Sequence, residues 1–63
     1  MNKNLIEFRN NTELSLSEMA QKIGVSKSYY EKVEYGDRKP GRNFIEKFKS
    51  AFPDVSVETI FFA

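Results

Sequence analysis

The chain has 63 residues, a formal net charge of +1, and neither cysteine nor histidine. This composition fits one small domain, and it excludes disulfides and the zinc and imidazole chemistry that those two residue types support. No apolar run approaches the roughly 20 residues of a membrane span, and the N-terminus lacks the apolar core of a signal peptide, so we expect a cytoplasmic protein without metal, cofactor or small-molecule ligand.

The first predicted helix begins at an asparagine cap, Asn2 or Asn4, and runs to about Asn11. Phe8 lies on its apolar face with Arg9 beside it. Asparagine readily adopts the left-handed conformation that ends a helix. We therefore expect the run of Asn10, Asn11 and Thr12 to end this helix.

The stretch from Leu14 to Gly36 carries the strongest pattern in the chain. Ser15 with Glu18 three residues later is a capping box, which marks the start of a helix. Gly24 stands where that helix must stop and turn, because glycine tolerates positive φ. Ser26 is the cap of a second helix.

The two helices of this stretch cover about residues 16–23 and 27–35. Their apolar positions fall on one face each: Met19, Ala20, Ile23, Tyr30 and Val33. A small alanine lets two steeply crossing helices approach closely. The pattern predicts a helix-turn-helix at about residues 15–35, which holds its second helix outward as a reader of DNA.

The outward face of this second helix carries side chains that suit base edges. Lysine donates to guanine O6 and N7, serine bonds several bases, and an aromatic edge meets the thymine methyl group. The first turn of such a helix enters the major groove most deeply. We expect base contacts from Lys27, Ser28, Tyr29 and Lys32, although these residues could simply be solvated and Tyr29 could cover the edge of the core.

Residues 36–42, GDRKPGR, form a basic loop before the next helix. Basic side chains at a helix N-terminus oppose the helix dipole, so a phosphate ligand explains them better than helix stability does. Residues 27–49 hold seven basic and four acidic side chains, a balance of +3, against three basic and five acidic elsewhere, a balance of −2. The expected phosphate contacts are Ser17, Tyr35, Arg38, Lys39 and Arg42; the alternative is a solubilising turn.

A fourth helix is predicted from about Arg42 or Asn43 to Ala51, and a short fifth helix follows a cap at Ser56 and runs through about Phe61. The apolar spacing is helical throughout, so the predicted fold class is all-α. Aromatic residues at the end of so small a domain suggest a protein interface. We expect a homodimer interface at Val57, Phe61 and Phe62, the alternative being that Phe61 packs inside and Phe62 frays.

Glu34 borders the apolar face of the third helix, so it should be partly buried and should need a partner. Arg9 is the best candidate, because a guanidinium can bind a carboxylate through two parallel hydrogen bonds. Such a pair fixes helix orientation more than it adds net stability.

These segments resemble the Cro/C1-type helix-turn-helix family of phage and bacterial repressors, also called the XRE family. The resemblance is carried by Leu5 with Arg9, the LSxxEMAxxIGVS block at 14–26, VExG at 33–36 and VSxxxIF at 55–61. It implies a single compact five-helix, lambda-repressor-like domain over residues 1–63 that binds double-stranded operator DNA as a repressor. It further implies a dimer on a near-palindromic site, the arginine–glutamate pair, and base contacts from the positions named above.

The chain departs from the family pattern at three places. Leu16 stands where many members carry a glutamine that clamps a phosphate. Tyr30 replaces an aliphatic residue, so its hydroxyl needs a partner. The connection FPDVS, residues 52–56, is longer than usual.

Other functions were weighed against this one. An enzyme is disfavoured because no catalytic constellation is visible. A protein-interaction module of the same fold, such as an antitoxin or an anti-repressor adapter, would bind with weak salt dependence, whereas DNA binding falls steeply as salt rises. A third possibility is a DNA-binding domain isolated from a longer regulator.

Overall fold

Five α-helices account for most of the structure, a computed structural model that describes residues 1–62. No strand occurs within those residues, and the all-α prediction is confirmed. The helices are α1 (Lys3–Thr12), α2 (Leu16–Ile23), α3 (Lys27–Tyr35), α4 (Arg42–Ala51) and α5 (Val57–Phe61). None of the described helices is long and apolar enough to cross a membrane.

Serine caps set where three of the helices begin. The Ser15 hydroxyl accepts from the Glu18 backbone N–H at 3.1 Å, and the Glu18 carboxylate accepts from the Ser15 N–H at 2.9 Å. The latter bond lowers the pKa of Glu18. Ser26 and Ser56 cap α3 and α5 through their hydroxyl groups alone, which accept from the backbone N–H groups of Tyr29 and Thr59.

Left-handed residues end the first three helices. Gly24 has φ +95° and Gly36 has φ +87°, as predicted for the turn glycine. At Gly36 a Cβ would also lie 3.1 Å from the backbone nitrogen of Met1. The close approach and the positive φ together require glycine there.

The observed end of α1 lies within one residue of the predicted one, but the residue that adopts the left-handed conformation is not an asparagine. The helix continues through Thr12, and Glu13 adopts φ 60° instead. The Thr12 hydroxyl donates to the Arg9 carbonyl at 2.7 Å, and the Glu13 N–H donates to the Asn10 carbonyl at 3.2 Å. These bonds close the last turn beyond the asparagines.

Two sets of helix contacts enclose the core. In one set α2 packs on α3 and α4, and in the other α1 packs on α3 and α5. Ala20 is buried where α2 meets its neighbours. The buried apolar side chains come from all five helices: Leu5, Met19, Ala20, Ile23, Tyr30, Val33, Phe44, Phe48 and Ile60.

Aromatic rings fill the side of the core formed by α4 and α5. Phe61 packs edge-on against Phe44 and Phe48, with ring centroids 5.9 and 5.2 Å apart. Phe61 is therefore engaged within the protomer, as the alternative in the sequence reasoning had it. Val57 is also half-buried, whereas Phe62 is 68% exposed.

Polar bonds join segments of the fold that are distant in the sequence. The Asn2 backbone N–H donates to the Glu34 carbonyl at 2.9 Å. Asn4 donates to the Thr59 carbonyl at 3.1 Å, and Lys47 donates to the Gly24 carbonyl at 3.3 Å. The first of these bonds holds α3 to the start of α1, whereas the other two join α1 to α5 and α4 to the turn after α2.

Candidate nucleic-acid interface

The two faces of α3 differ sharply in exposure. Tyr30, Val33 and Glu34 are at most 3% exposed. The rest of the helix surface exposes polar side chains to solvent, with Ser28, Lys32 and Tyr35 opposite the buried face and Lys27 at its flank. Three of the four residues expected to contact bases therefore share one exposed surface, together with one of those expected to contact phosphate.

Tyr29, the fourth expected base contact, lies differently. Its ring is half-buried and packs against Phe44, with the centroids 5.8 Å apart. The Arg38 guanidinium carbon lies 5.5 Å from the centroid of the same ring. Tyr29 thus covers the edge of the core and supports a basic side chain of the loop by a cation–π contact.

An acidic residue that sequence reasoning did not single out also lies on the exposed side of α3. A carboxylate oxygen of Glu31 is 3.6 Å from the ammonium nitrogen of Lys27. Both side chains are substantially exposed, so the pair stabilises the helix by only about 0.3–0.5 kcal/mol. The spacing of four residues was the signal that could have found it.

The buried face of α3 is held by the pair formed by Arg9 and Glu34. Arg9 Nε donates to Glu34 Oε2 at 2.9 Å, and Nη2 donates to Oε1 at 3.1 Å. A third bond joins Nη1 to the Leu14 carbonyl at 3.3 Å. The bond to Glu34 raises the pKa of Arg9. One guanidinium thereby joins α1, α3 and the segment that precedes α2.

The hydroxyl of Tyr30 is buried without a hydrogen-bond partner among residues 1–62. The partner that the sequence called for is thus missing from the described part of the chain. Burial raises the pKa of this phenol, and the neighbouring Glu34 carboxylate raises it further. The hydroxyl therefore stays neutral to a pH well above the ordinary pKa of tyrosine.

The basic loop lies against the C-terminal end of α3. The Arg38 backbone N–H donates to the Lys32 carbonyl at 3.2 Å, which folds the loop back onto the helix. Arg38, Lys39 and Arg42 are exposed, and Arg42 pairs with Glu46 at 3.2 Å. Gly41 provides no side-chain cap for α4.

The last expected phosphate contact comes from a separate element. Ser17 lies exposed in the first turn of α2. Within residues 1–62 no group of three or more acidic, cysteine or histidine side chains is placed to hold a metal ion. The chemistry that this surface offers is hydrogen bonding and charge.

The chain is similar to known helix-turn-helix proteins over most of its length. A family model described as helix-turn-helix matches residues 5–60. The HTH-type transcriptional regulator SinR of Bacillus subtilis (strain 168) is 44% identical over 55 residues, which are 86% of this chain and 49% of the relative. SinR of Bacillus licheniformis matches with the same identity and coverage. The chain therefore spans about half the length of these curated relatives, and no solved structure matches it significantly.

Proposed function

This chain belongs to the Cro/C1-type helix-turn-helix family of DNA-binding transcription regulators, which are not enzymes, and we propose that it is a repressor that binds operator DNA through α3. The observation that carries the proposal is the division of α3 into a fully buried face and an exposed polar face. A helix fixed in this way can enter the major groove without losing its contacts to the core.

Base recognition is assigned to the exposed face of α3. Lys27 and Ser28 lie in its first turn, and Lys32 follows about one turn later. A lysine ammonium group suits the two acceptors of guanine, and a serine hydroxyl can donate or accept. Tyr29 contributes at the margin, because its ring already packs on Phe44.

Phosphate contacts position the helix on the duplex without reading sequence. The exposed cations of the loop, Arg38 and Lys39, supply them together with Arg42 at the start of α4. The exposed hydroxyl groups of Ser17 and Tyr35 extend the contact to the first turn of α2 and the last turn of α3.

The size of the domain supports binding as a homodimer. The Cα extents are 23 × 22 × 21 Å, whereas one turn of B-DNA is about 34 Å long. One copy therefore covers one half-site, and a near-palindromic operator accommodates two copies. Exposed Phe62, with half-buried Val57 and Phe61 beside it, is the proposed contact between them. The proposed place of action of the protein is the cytoplasm, where bacterial DNA lies.

Selection of bound duplexes from a random pool, followed by affinity measurements on the selected site, tests the proposal. Lys27→Ala and Lys32→Ala should each weaken binding to that site by about 1–3 kcal/mol. Lys49→Ala is the matched control, because Lys49 is also exposed but lies in the last turn of α4. Equal affinities for all four proteins would contradict the assignment of this face.

A protein-interaction module is the competing function, and the exposure of Phe62 is the observation that favours it. Such a module binds its partner with little dependence on salt. A DNA reader releases counterions, so its affinity falls steeply between 50 and 200 mM salt. The absence of any salt-dependent binding to duplex DNA would favour the module.

A further inference from the structure

Glu31 occupies an electrostatically unfavourable place for a helix that approaches a polyanion. It lies between Lys27 and Lys32 on α3, and its side chain is 32% exposed. The other acidic residue of α3, Glu34, is 3% exposed and bound to Arg9. Of these two carboxylates, Glu31 is the one that can meet a ligand at the exposed face.

Folding does not explain why a carboxylate stands there. Glu31 follows the first turn of α3, so it gains little from the helix dipole. Its contact with Lys27, at 3.6 Å, joins an exposed ammonium group to a partly exposed carboxylate, and such surface pairs add little to stability. Its charge also opposes the phosphates that the neighbouring lysines attract.

We propose that Glu31 is a specificity-determining residue, which accepts a hydrogen bond from the exocyclic amine of a base in the major groove. The inference rests on the proposed entry of α3 into that groove. An ionised carboxylate has only acceptors. Cytosine N4 and adenine N6 are the donors that the groove displays, whereas guanine O6 and N7 and thymine O4 repel a carboxylate.

The pairing of Glu31 with Lys27 makes the reading complementary. Lys27 has only donors and seeks guanine, while Glu31 has only acceptors and seeks an amine. Their contact before binding holds each charge on the exposed face of α3 and balances it. The operator half-site should therefore carry, beside the guanine read by Lys27, a position that prefers cytosine or adenine.

The test uses the wild-type chain and two variants, each of which loses one negative charge. The preferred site is selected from random duplexes, every single-base change in one half-site is made, and affinities are measured by fluorescence anisotropy. Glu31→Gln should relax the preference at one position by about 5- to 150-fold, because glutamine also donates and so tolerates guanine or thymine. Whether cytosine or adenine is the preferred base follows from the same series.

Glu7→Gln is the control, since Glu7 is exposed on α1 and lines a groove between α1 and α5. It should leave the preference at every position unchanged. A Glu31→Gln profile identical to wild type, or a uniform gain of affinity for all duplexes, would overturn the inference while leaving the proposed function intact. If the wild-type chain selects no sequence, both fail together.

Discussion

Arg9 and Glu34 show how much the position of α3 depends on one largely buried interaction. Glu34 is 3% exposed, and its two carboxylate oxygens are each bound by the same guanidinium. Arg9→Ala would leave that carboxylate buried without its charge partner. We expect a loss of about 3 kcal/mol in the free energy of unfolding, measured by urea denaturation.

A double substitution separates pairing from burial. Replacing the pair together, as Arg9→Met with Glu34→Leu, should recover much of that loss, because it removes the buried carboxylate along with its partner and roughly keeps their volume. A free energy of unfolding that is unchanged in Arg9→Ala would show that the pair does not hold α3 in place.

The buried hydroxyl of Tyr30 makes the free energy of unfolding depend on pH in the alkaline range. Burial raises the pKa of this phenol above its ordinary value of 10.0, so folding favours the neutral form. The stabilisation is fully present below pH 10 and declines above it by about 1.4 kcal/mol per pH unit. Tyr30→Phe should remove this part of the decline.

At neutral pH, Tyr30→Phe should be as stable as wild type or slightly more stable, because it removes a buried polar group that has no partner. Chemical denaturation of both proteins from pH 7 to pH 11 measures the two effects. A variant less stable than wild type by more than about 1 kcal/mol would mean that the hydroxyl has a partner in solution.

At the scale of the helices, local chemistry was sufficient to predict most boundaries. Ser15, Ser26 and Ser56 announced three starts, and each hydroxyl accepts the expected backbone N–H. Gly24 marked the turn inside the helix-turn-helix. These signals are readable because caps and left-handed turns depend on residues within four positions of one another.

Features that depend on residues outside the local pattern were harder to predict, with one exception. Asparagine propensity suggested that an asparagine would take the left-handed conformation after α1, but Glu13 takes it instead. The bond from Lys47 to the Gly24 carbonyl joins residues 23 positions apart, and no local pattern announces it. The pairing of Arg9 with Glu34 was foreseeable because a buried carboxylate requires a cation.

The basic loop should contribute charge without sequence preference. Arg38 and Lys39 are exposed, and a backbone bond to Lys32 holds the loop beside α3. Arg38→Gln and Lys39→Gln should each weaken binding to selected and unselected duplexes alike, and each should reduce the salt dependence by about one ion. A loss confined to the selected site would instead assign these residues to base reading.

At the scale of the whole molecule, the last two described residues differ: one packs against the core and the other is exposed. Phe61 contacts two buried rings, whereas Phe62 is 68% exposed. Phe61→Ala should cost about 1–3 kcal/mol of unfolding free energy, because it removes a half-buried ring that packs on two buried ones. Phe62→Ala should change stability by no more than about 0.5 kcal/mol, yet weaken dimer formation on DNA.

Sedimentation velocity with an operator duplex and a half-site duplex distinguishes the two effects. If Phe62 lies at the dimer contact, Phe62→Ala should bind the half-site normally and lose cooperative binding to the full operator. Cooperative binding equal to wild type would remove Phe62 from the interface. The sequence pattern assigned both phenylalanines to the dimer interface. It could not separate them, because the exposure of each depends on how the end of α5 packs against α4.

The central claim, that α3 reads bases in the major groove, is tested most directly by replacing guanines of the selected operator with 7-deazaguanine, one at a time. This change removes the N7 acceptor and leaves Watson–Crick pairing intact. At the guanine read by Lys27 we expect the wild-type chain to lose about fivefold in affinity, and Lys27→Ala to lose nothing further. Equal binding of the wild-type chain to every substituted duplex would contradict the account.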